Sequence, residues 1–228
     1  MKRIVVAIDG PAGAGKSTIA RRLAERIGAT YIDTGAMYRA VAWWARESGV
    51  SWEDEAALIG LSSRAEIRFE PGTRRIWLNG GEITDEIRTQ EISEGASRVS
   101  AVPGVRRALV AMQQAMGRDG SVVMEGRDIG TVVFPRADVK IFLDAAPEER
   151  ARRRCRDLEA AGTACDERQI LEDIRRRDTR DSTRTDSPLT KSPDSFVLDT
   201  TNLSIDEVEE RMVELICSRT HEGKEVNS

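Results

Sequence analysis

The sequence is poor in the residues on which several common chemistries depend. Histidine occurs once among the 228 residues, at His221, in a polar stretch near the end. This leaves almost no room for histidine-based triads, zinc sites of the HExxH type or histidine proton relays. Any catalysis has to come from carboxylates, lysine, arginine, hydroxyl groups, backbone amides or a metal that arrives with a ligand.

Cysteine is almost as scarce. Cys155, Cys165 and Cys217 are odd in number and form no CxxC pair, so we expect neither a disulfide framework nor a thiolate zinc site. We expect all three to serve as small, buried or half-buried hydrophobic residues.

Long hydrophobic runs and an excess of basic charge are both absent. No run approaches the roughly 18 apolar residues of a membrane helix, and the apolar stretch at the start is shorter than the ~7–15 residues of a signal peptide. The 35 basic and 39 acidic residues give a net charge of −4, unlike a general binder of nucleic acids or anionic membranes. We therefore expect a cytoplasmic protein that binds neither nucleic acid nor membrane. We also expect a monomer, although neither charge nor hydropathy bears on the oligomeric state.

The pattern of apolar residues predicts an α/β fold. Continuous apolar runs, typical of buried parallel strands, cover residues 4–8, 121–124, 139–143 and 196–198. Stretches with helical spacing separate these runs, and Ser204 with Glu207 predicts a capping box at the start of the last helix. Strands that alternate with helices indicate a parallel sheet, of about five strands here, between two layers of helices.

One region departs from this alternation. Residues 65–70 and 75–79 alternate apolar and polar side chains around a Pro-Gly turn, and an Asn-Gly turn follows. The pattern predicts a small antiparallel insertion near residues 62–100. The last residues, 221–228, are polar, and we expect a flexible tail there.

The strongest motif is GPAGAGKS, Gly10–Ser17, which fits the pattern G-x-x-x-x-G-K-[ST]. A buried strand precedes it and an amphipathic helix follows, which is the setting of a phosphate-binding loop rather than of an ordinary glycine-rich turn. Its backbone amides are expected to surround a polyphosphate. Lys16 is expected to reach the β- and γ-phosphates, and the Ser17 hydroxyl to ligate Mg²⁺.

Two further motifs place arginine beside carboxylates where loops leave strands. In DTGAMYR, Asp33 and Thr34 can cap a helix from which Arg39 reaches an anion; the alternative is a capped surface helix with a solvated arginine. In EGRDIG, Arg127 follows a predicted strand, where ligands bind in parallel sheets, although a turn with a local ion pair is the alternative.

Arginine also dominates residues 150–184, which hold eleven arginines and no lysine. Most of them fit a solvated helix face. Arg177, Asp181 and Arg184, however, recur at helical spacing, and they share one face if the helix continues that far. A mobile segment that carries arginines could close over a triphosphate and neutralise charge during phosphoryl transfer.

Taken together, the segments IDGPAGAGKST, DTGAMYR, EIRTQEIS, EGRDIGTVVFP, VKIFLDA and RRDTRDSTR resemble the bacterial cytidylate kinases, of the nucleoside monophosphate kinase group. The resemblance runs from Ile4 to the last helix. It implies a single P-loop kinase domain over residues 1–228 and a monophosphate-binding region over 33–104 that contains the insertion. It also implies a short arginine-rich lid over 148–166.

The resemblance implies that ATP gives its γ-phosphoryl group to CMP or dCMP. The implied donor site comprises Gly10, Pro11, Ala12, Gly13, Ala14, Gly15, Lys16, Ser17 and Thr18, and the implied catalytic residues are Lys16, Arg127, Arg154, Arg177 and Arg184. The implied acceptor site comprises Asp33, Thr34, Tyr38, Arg39, Ser97, Arg106, Arg127, Asp128, Arg177, Asp181 and Arg184. Mg²⁺ would be held by Ser17 and, through water, by Glu125. Thr34 and Glu125 stand where some relatives carry Ser and Asp.

Within the implied acceptor site, Arg39 and Arg127 would bind the α-phosphate, whereas Ser97, Arg106 and Asp128 would read the cytosine edge. Two alternatives stay open. The chain could be a kinase for another small acceptor such as UMP, AMP or shikimate, or it could be a nucleotide-binding module without turnover. The absence of an N-K-x-D motif and of an L-S-G-G-Q segment argues against a GTPase and a transporter ATPase.

Overall fold

The fold is taken from a computed structural model, which describes residues 3–160 and 162–225, without the side chains of 220–225. The strands are β1 Val5–Asp9, β2 Thr30–Asp33, β3 Ile67–Phe69, β4 Ile76–Leu78, β5 Gly81–Glu82, β6 Val122–Gly126, β7 Val139–Asp144 and β8 Phe196–Asp199. The helices are α1 Lys16–Ile27, α2 Thr34–Glu47, α3 Glu55–Ser62, α4 Gln90–Val99, α5 Pro103–Met116, α6 Pro147–Ala160, α7 Glu167–Thr183 and α8 Ile205–Glu225. Short helical turns cover Glu86–Arg88 and Ile129–Val133.

The predicted parallel sheet is confirmed, with five strands in the order β2-β6-β1-β7-β8. Its central strand β1 is buried on both faces, because Val6 and Ile8 pack among α1 and α8 while Val5 and Ala7 join the cluster on the opposite side. Four of the five strands coincide with the apolar runs of the sequence. The fifth, β2, escaped prediction because its sequence TYID has polar residues at both ends, Thr30 and Asp33, and so contains no continuous apolar run.

The predicted antiparallel insertion is also confirmed as a three-stranded sheet, β3-β4-β5. Asn79 and Gly80 have φ angles of 50° and 85°, so the Asn-Gly turn between β4 and β5 has the left-handed backbone typical of tight hairpins. The buried faces of β3 and β4 join one hydrophobic cluster with α2, α4 and α5. The insertion is therefore packed onto the acceptor side of the predicted site rather than detached from it.

The cysteine prediction is wrong in two ways: Cys155 and Cys165 pair in a disulfide, and Cys217 is exposed rather than buried or half-buried. Cys155 in α6 and Cys165 before α7 form a disulfide, with their α-carbons 5.4 Å apart. The chain turns back between the two helices and brings residues ten positions apart side by side. The spacing of these two cysteines matches no known disulfide motif, so the pair is recognised only once the turn between the helices is known.

The predicted capping box is present, because Ser204 Oγ accepts from the Glu207 amide and the Glu207 carboxylate accepts from the Ser204 amide. Helix α8 continues to Glu225, while the residues beyond it lie outside the described part. The flexible tail over 221–228 therefore stays a prediction. In the described residues no helix is long and apolar enough to cross a membrane.

Candidate active site

The glycine-rich loop lies between β1 and α1, at the carboxyl end of the sheet. Gly10 has φ 147°, and a β-carbon there would lie 2.0 Å from the backbone oxygen of Leu143, so that only glycine fits. Gly15, with φ 87°, is the N-cap residue directly before α1. The loop therefore passes directly into a helix N-terminus, where backbone N–H groups and the helix dipole favour an anion.

Lys16 is buried at the start of α1. Its Nζ donates to the backbone oxygen of Pro11 at 2.6 Å, across the loop. Burial, followed by the positive charge of Arg127, lowers the pKa of Lys16 to about 7. A bound polyphosphate would favour the protonated form of this amine, because its negative charge stabilises the positive charge of the ammonium group.

Glu125 occupies the end of β6, beside β2. Its carboxylate accepts from Tyr31 Oη at 2.5 Å and lies close to the Ser17 hydroxyl, and Thr34 Oγ1 donates to its backbone oxygen at 2.6 Å. Burial, then the charge of Asp33, raises the pKa of Glu125. The predicted metal pair, Ser17 and Glu125, is thus brought together.

A hydroxyl and a carboxylate are oxygen donors that suit Mg²⁺. Within the described residues, no group of three or more histidine, cysteine or acidic side chains could enclose a metal ion.

The predicted cap at the start of α2 also orients an arginine. Asp33 Oδ1 accepts from the Ala36 amide at 2.9 Å, and Asp33 Oδ2 accepts from Arg39 at 2.8 Å. A β-carbon on Gly35 would lie 3.1 Å from that carboxylate, so the small residue keeps the pair close.

Arg127 and Asp128 follow β6 and engage different partners. Arg127 Nε donates to Asp181 Oδ2 of α7 at 2.8 Å, while Asp128 forms a buried ion pair with Arg106 of α5. Arg106 also stacks on the Tyr38 ring, 5.4 Å from its centre. Five of the predicted acceptor residues are therefore joined around one end of the sheet.

The end of α7 completes this group. Arg177 lies on the helix beside Arg127 and Asp181, and burial followed by the charge of Arg127 lowers its pKa to about 10. Helix α7 ends at Thr183, so the condition for a shared helical face is not met at Arg184. The side chain of Arg184 still lies near Arg106 and Asp128. Its Nε donates to the backbone oxygen of Ser187, over a distance of 2.6 Å.

Several arginine N–H groups in this pocket are buried and have no hydrogen-bond partner in the described part of the chain. They are Arg39 Nε, Arg106 Nε, Arg177 Nε and a terminal nitrogen of Arg184. Buried polar groups are nearly always paired in folded proteins. Four unpaired donors around one pocket therefore indicate a site for a ligand rich in acceptor oxygens.

Two predicted residues have other neighbours. Ser97 Oγ of α4 accepts from Arg180 at 2.7 Å, and Arg154 of the predicted lid donates to the Gln90 side chain at 3.2 Å instead of reaching the glycine-rich loop. Two other arginines of the predicted lid lie at the loop: Arg150 donates to the backbone oxygen of Ala12 at 3.0 Å, and Arg153 lies 3.8 Å from the position that a β-carbon on Gly15 would take.

Comparison with known proteins identifies the family of this chain. The family model for cytidylate kinase matches residues 6–218. The cytidylate kinase of Solibacter usitatus is 55% identical over 98% of this chain and 97% of its own length. The chain belongs to the cytidylate kinase family. The cytidylate kinase of Geobacillus kaustophilus is 48% identical, over 96% of this chain and 98% of its own.

Solved structures agree on the fold of this cytidylate kinase family member. An uncharacterized protein from Eubacterium ventriosum aligns with 95% of the chain and 99% of its own at a TM-score of 0.54, with 12% sequence identity. At that identity the likeness speaks for the fold alone.

Four residues of this family member contribute to the site without having been predicted. The two carboxylate oxygens of Asp9 accept hydrogen bonds from the amides of Ile129 and Gly130, each at 2.7 Å, and so fix the turn after Arg127 and Asp128. Arg150 donates to the backbone oxygen of Ala12 at 3.0 Å. The others are Tyr31 and Arg180. Only Asp9 carried a signal in the sequence, as a charge directly between a buried strand and the glycine-rich loop.

Proposed function

We propose that the protein transfers the γ-phosphoryl group of ATP to CMP or dCMP, which yields ADP and CDP or dCDP. The observation that carries this proposal is the group of unpaired arginine donors beside the glycine-rich loop, in a member of the cytidylate kinase family. Guanidinium groups match the bidentate geometry of phosphate oxygens.

On the donor side, the loop over residues 10–18 would hold the ATP phosphates through its amides. Lys16 would leave the oxygen of Pro11 and contact the transferring phosphate, since a neutral carbonyl competes poorly with a phosphate for an ammonium group. Mg²⁺ would be held by Ser17 and, through water, by Glu125, and it would neutralise charge on the phosphate oxygens.

On the acceptor side, Arg39 and Arg127 would grip the α-phosphate and aim one of its oxygens at the γ-phosphorus. That oxygen forms the new P–O bond while the bond between the γ-phosphorus and the bridging β-oxygen breaks, and ADP leaves. The acceptor phosphate is already ionised, so no general base is required. Arg177, Arg184 and the lid residue Arg154 would stabilise the negative charge as it moves between oxygens.

The other end of the pocket would read the base. Asp128, fixed by Arg106, has a carboxylate that can accept from the exocyclic amine of cytosine, which uracil lacks. Asp181, which pairs with Arg127, and Tyr38, which stacks on Arg106, would contact the sugar. We further propose that the enzyme acts as a cytoplasmic monomer.

A coupled assay of ADP release tests the proposal. Purified protein is given ATP and Mg²⁺ with CMP, dCMP, UMP, AMP or shikimate in turn, and Lys16→Ala serves as the inactive control. We expect CMP and dCMP to give the highest kcat/KM. Preference for another acceptor would indicate a different small-molecule kinase, and tight ATP binding without ADP release would indicate a nucleotide-binding module.

A further inference from the structure

Arg180 of α7 stands at a junction to which the proposed reaction assigns no role. One terminal nitrogen of Arg180 donates to Ser97 Oγ at 2.7 Å, and the other donates to Glu94 Oε1 at 3.0 Å. Ser97 is only 2% exposed, and it lies one turn after Glu94 on α4. The guanidinium is thus held by a carboxylate on one side and directed at a buried hydroxyl on the other.

The contact with Arg180 restricts what the Ser97 hydroxyl can do. A guanidinium only donates hydrogen bonds, whereas a hydroxyl has one proton and two lone pairs. Ser97 Oγ must therefore accept from Arg180. With that lone pair engaged, its own proton is directed away from the guanidinium and is available to a ligand.

Ser97 is also linked to the ion pair proposed to read the base. The backbone oxygen of Ser97 accepts from Ser100 Oγ at 2.9 Å, and the backbone oxygen of Ser100 accepts from Arg106 at 3.2 Å. Arg106 in turn pairs with Asp128. These contacts therefore connect the backbone of Ser97, whose hydroxyl Arg180 orients, to the carboxylate of Asp128.

We propose that Arg180 is a positioning residue that makes Ser97 a hydrogen-bond donor toward the acceptor base and so favours cytosine over uracil. This inference rests on the proposed function. A cytosine ring offers an amino donor next to an unprotonated ring nitrogen, whereas uracil offers a carbonyl next to a ring N–H. A carboxylate and a donating hydroxyl complement the first pattern and oppose the second.

The neighbouring residue explains why this role falls to α7. Asp181, next in the chain, holds Arg127 at the phosphate end of the pocket, while Arg180 holds Ser97 at the base end. One turn of α7 therefore organises both ends of the acceptor. A purely structural role for Arg180 would instead affect every acceptor equally.

The test compares Arg180→Met, Arg180→Lys and the matched control Arg98→Met. Arg98 also contacts Glu94, at 3.4 Å, but it is exposed and no contact joins it to Ser97 in the described structure. kcat and KM are measured with CMP and with UMP, together with KM for ATP. We expect Arg180→Met to lower the CMP-to-UMP ratio of kcat/KM about tenfold, mainly through KM for CMP.

The two other variants sharpen the result. Arg180→Lys retains a donor-only side chain and is expected to recover part of the ratio, while Arg98→Met is expected to leave it within about twofold of the wild type. If Arg180→Met fails to fold, a double-mutant cycle of Arg180→Lys with Ser97→Ala decides: coupled effects on the ratio support the inference, and additive effects overturn it.

Equal losses with both acceptors, or an unchanged ratio in Arg180→Met, would overturn the role of Arg180 while the proposed function stands, provided that the wild type phosphorylates CMP. A wild-type enzyme that does not use CMP would overturn both proposals. The wild-type assay and the ratio in the variants thus separate the two failures.

Discussion

The glycine-rich loop and the acceptor pocket, although they meet at one edge of the sheet, are built in opposite ways. The loop is a continuous segment between β1 and α1, and its lysine already has a partner in the oxygen of Pro11. The pocket draws side chains from α2, α5, α7 and the turn after β6, and several of its arginine donors have no partner in the described residues. A site made of backbone is complete before the ligand arrives, whereas a site made of collected arginines needs the ligand to satisfy it.

Removal of the loop's single cation should produce the largest effect. We expect Lys16→Ala to lower kcat at least about 10³-fold with every acceptor, because the transferring phosphate loses its buried positive charge. Circular dichroism and the melting temperature should be unchanged. Wild-type turnover in this variant would remove the loop lysine from the mechanism.

Removal of one acceptor arginine should be nearly as severe, but confined to one substrate. We expect Arg127→Ala to lower kcat/KM for CMP by about 10²–10³-fold and to leave the dissociation constant of ATP within about threefold. Steady-state kinetics and ATP titration measure the two effects. The control is Arg175→Ala, an exposed arginine of α7, the helix whose Asp181 holds Arg127. A loss under tenfold would contradict the division between donor and acceptor sides.

The contact between the two regions can be tested through stability. Arg150 is buried at the root of α6, where it donates to Ala12 of the loop and pairs with Asp178 of α7 at 2.5 Å. We expect Arg150→Ala to lower the free energy of unfolding by about 2–3 kcal/mol, because the buried hydrogen bonds of Arg150 are lost. The loss should not be larger, since Asp178 is partly exposed and water can solvate it in the variant. Urea denaturation provides the measurement. A change below about 0.5 kcal/mol would show that the loop does not depend on this residue.

Reduction of the Cys155–Cys165 disulfide should have a smaller effect, located in the predicted lid. Because the bond closes a short loop, we expect dithiothreitol to lower the free energy of unfolding by about 2 kcal/mol, or the melting temperature by about 4–8 °C. Cys165→Ser should melt at the temperature of the reduced protein and should not respond to dithiothreitol. An equal response in the variant would place the effect at Cys217 or elsewhere.

The smallest expected effect is the uptake of a proton when ATP binds. Lys16 has a pKa of about 7 in the free protein, so at pH 8 roughly nine in ten molecules carry it neutral. Bound phosphates favour the charged form and raise that pKa, so ATP binding at pH 8 should take up close to one proton and should weaken as pH rises further. Calorimetry in buffers of different ionisation enthalpy measures the uptake, and Lys16→Ala should abolish its lysine component.

The disulfide and Arg180 show where prediction from the sequence stops. Cys155 and Cys165 are separated by a spacing without any local signature, and their pairing depends on how the chain turns between α6 and α7. Arg180 is one of eleven arginines in a stretch that fits a solvated helix face, and only the packing of α7 against α4 distinguishes it. The pairing of Tyr31 with Glu125 likewise joins residues 94 positions apart.

By itself, the sequence determined what depends on neighbouring residues: the buried strands, the glycine-rich loop, the hairpin turn at Asn79 and the capping box at Ser204. Each is a local steric or hydrogen-bonding preference that a few consecutive residues satisfy. Only the tertiary structure decided which arginine nitrogens are held by carboxylates and which have no partner around the pocket, among the described residues. The pairing of these arginines depends on burial and on contacts between distant elements. Water accepts hydrogen bonds from an exposed guanidinium, whereas a buried one requires acceptors from the protein or from a ligand.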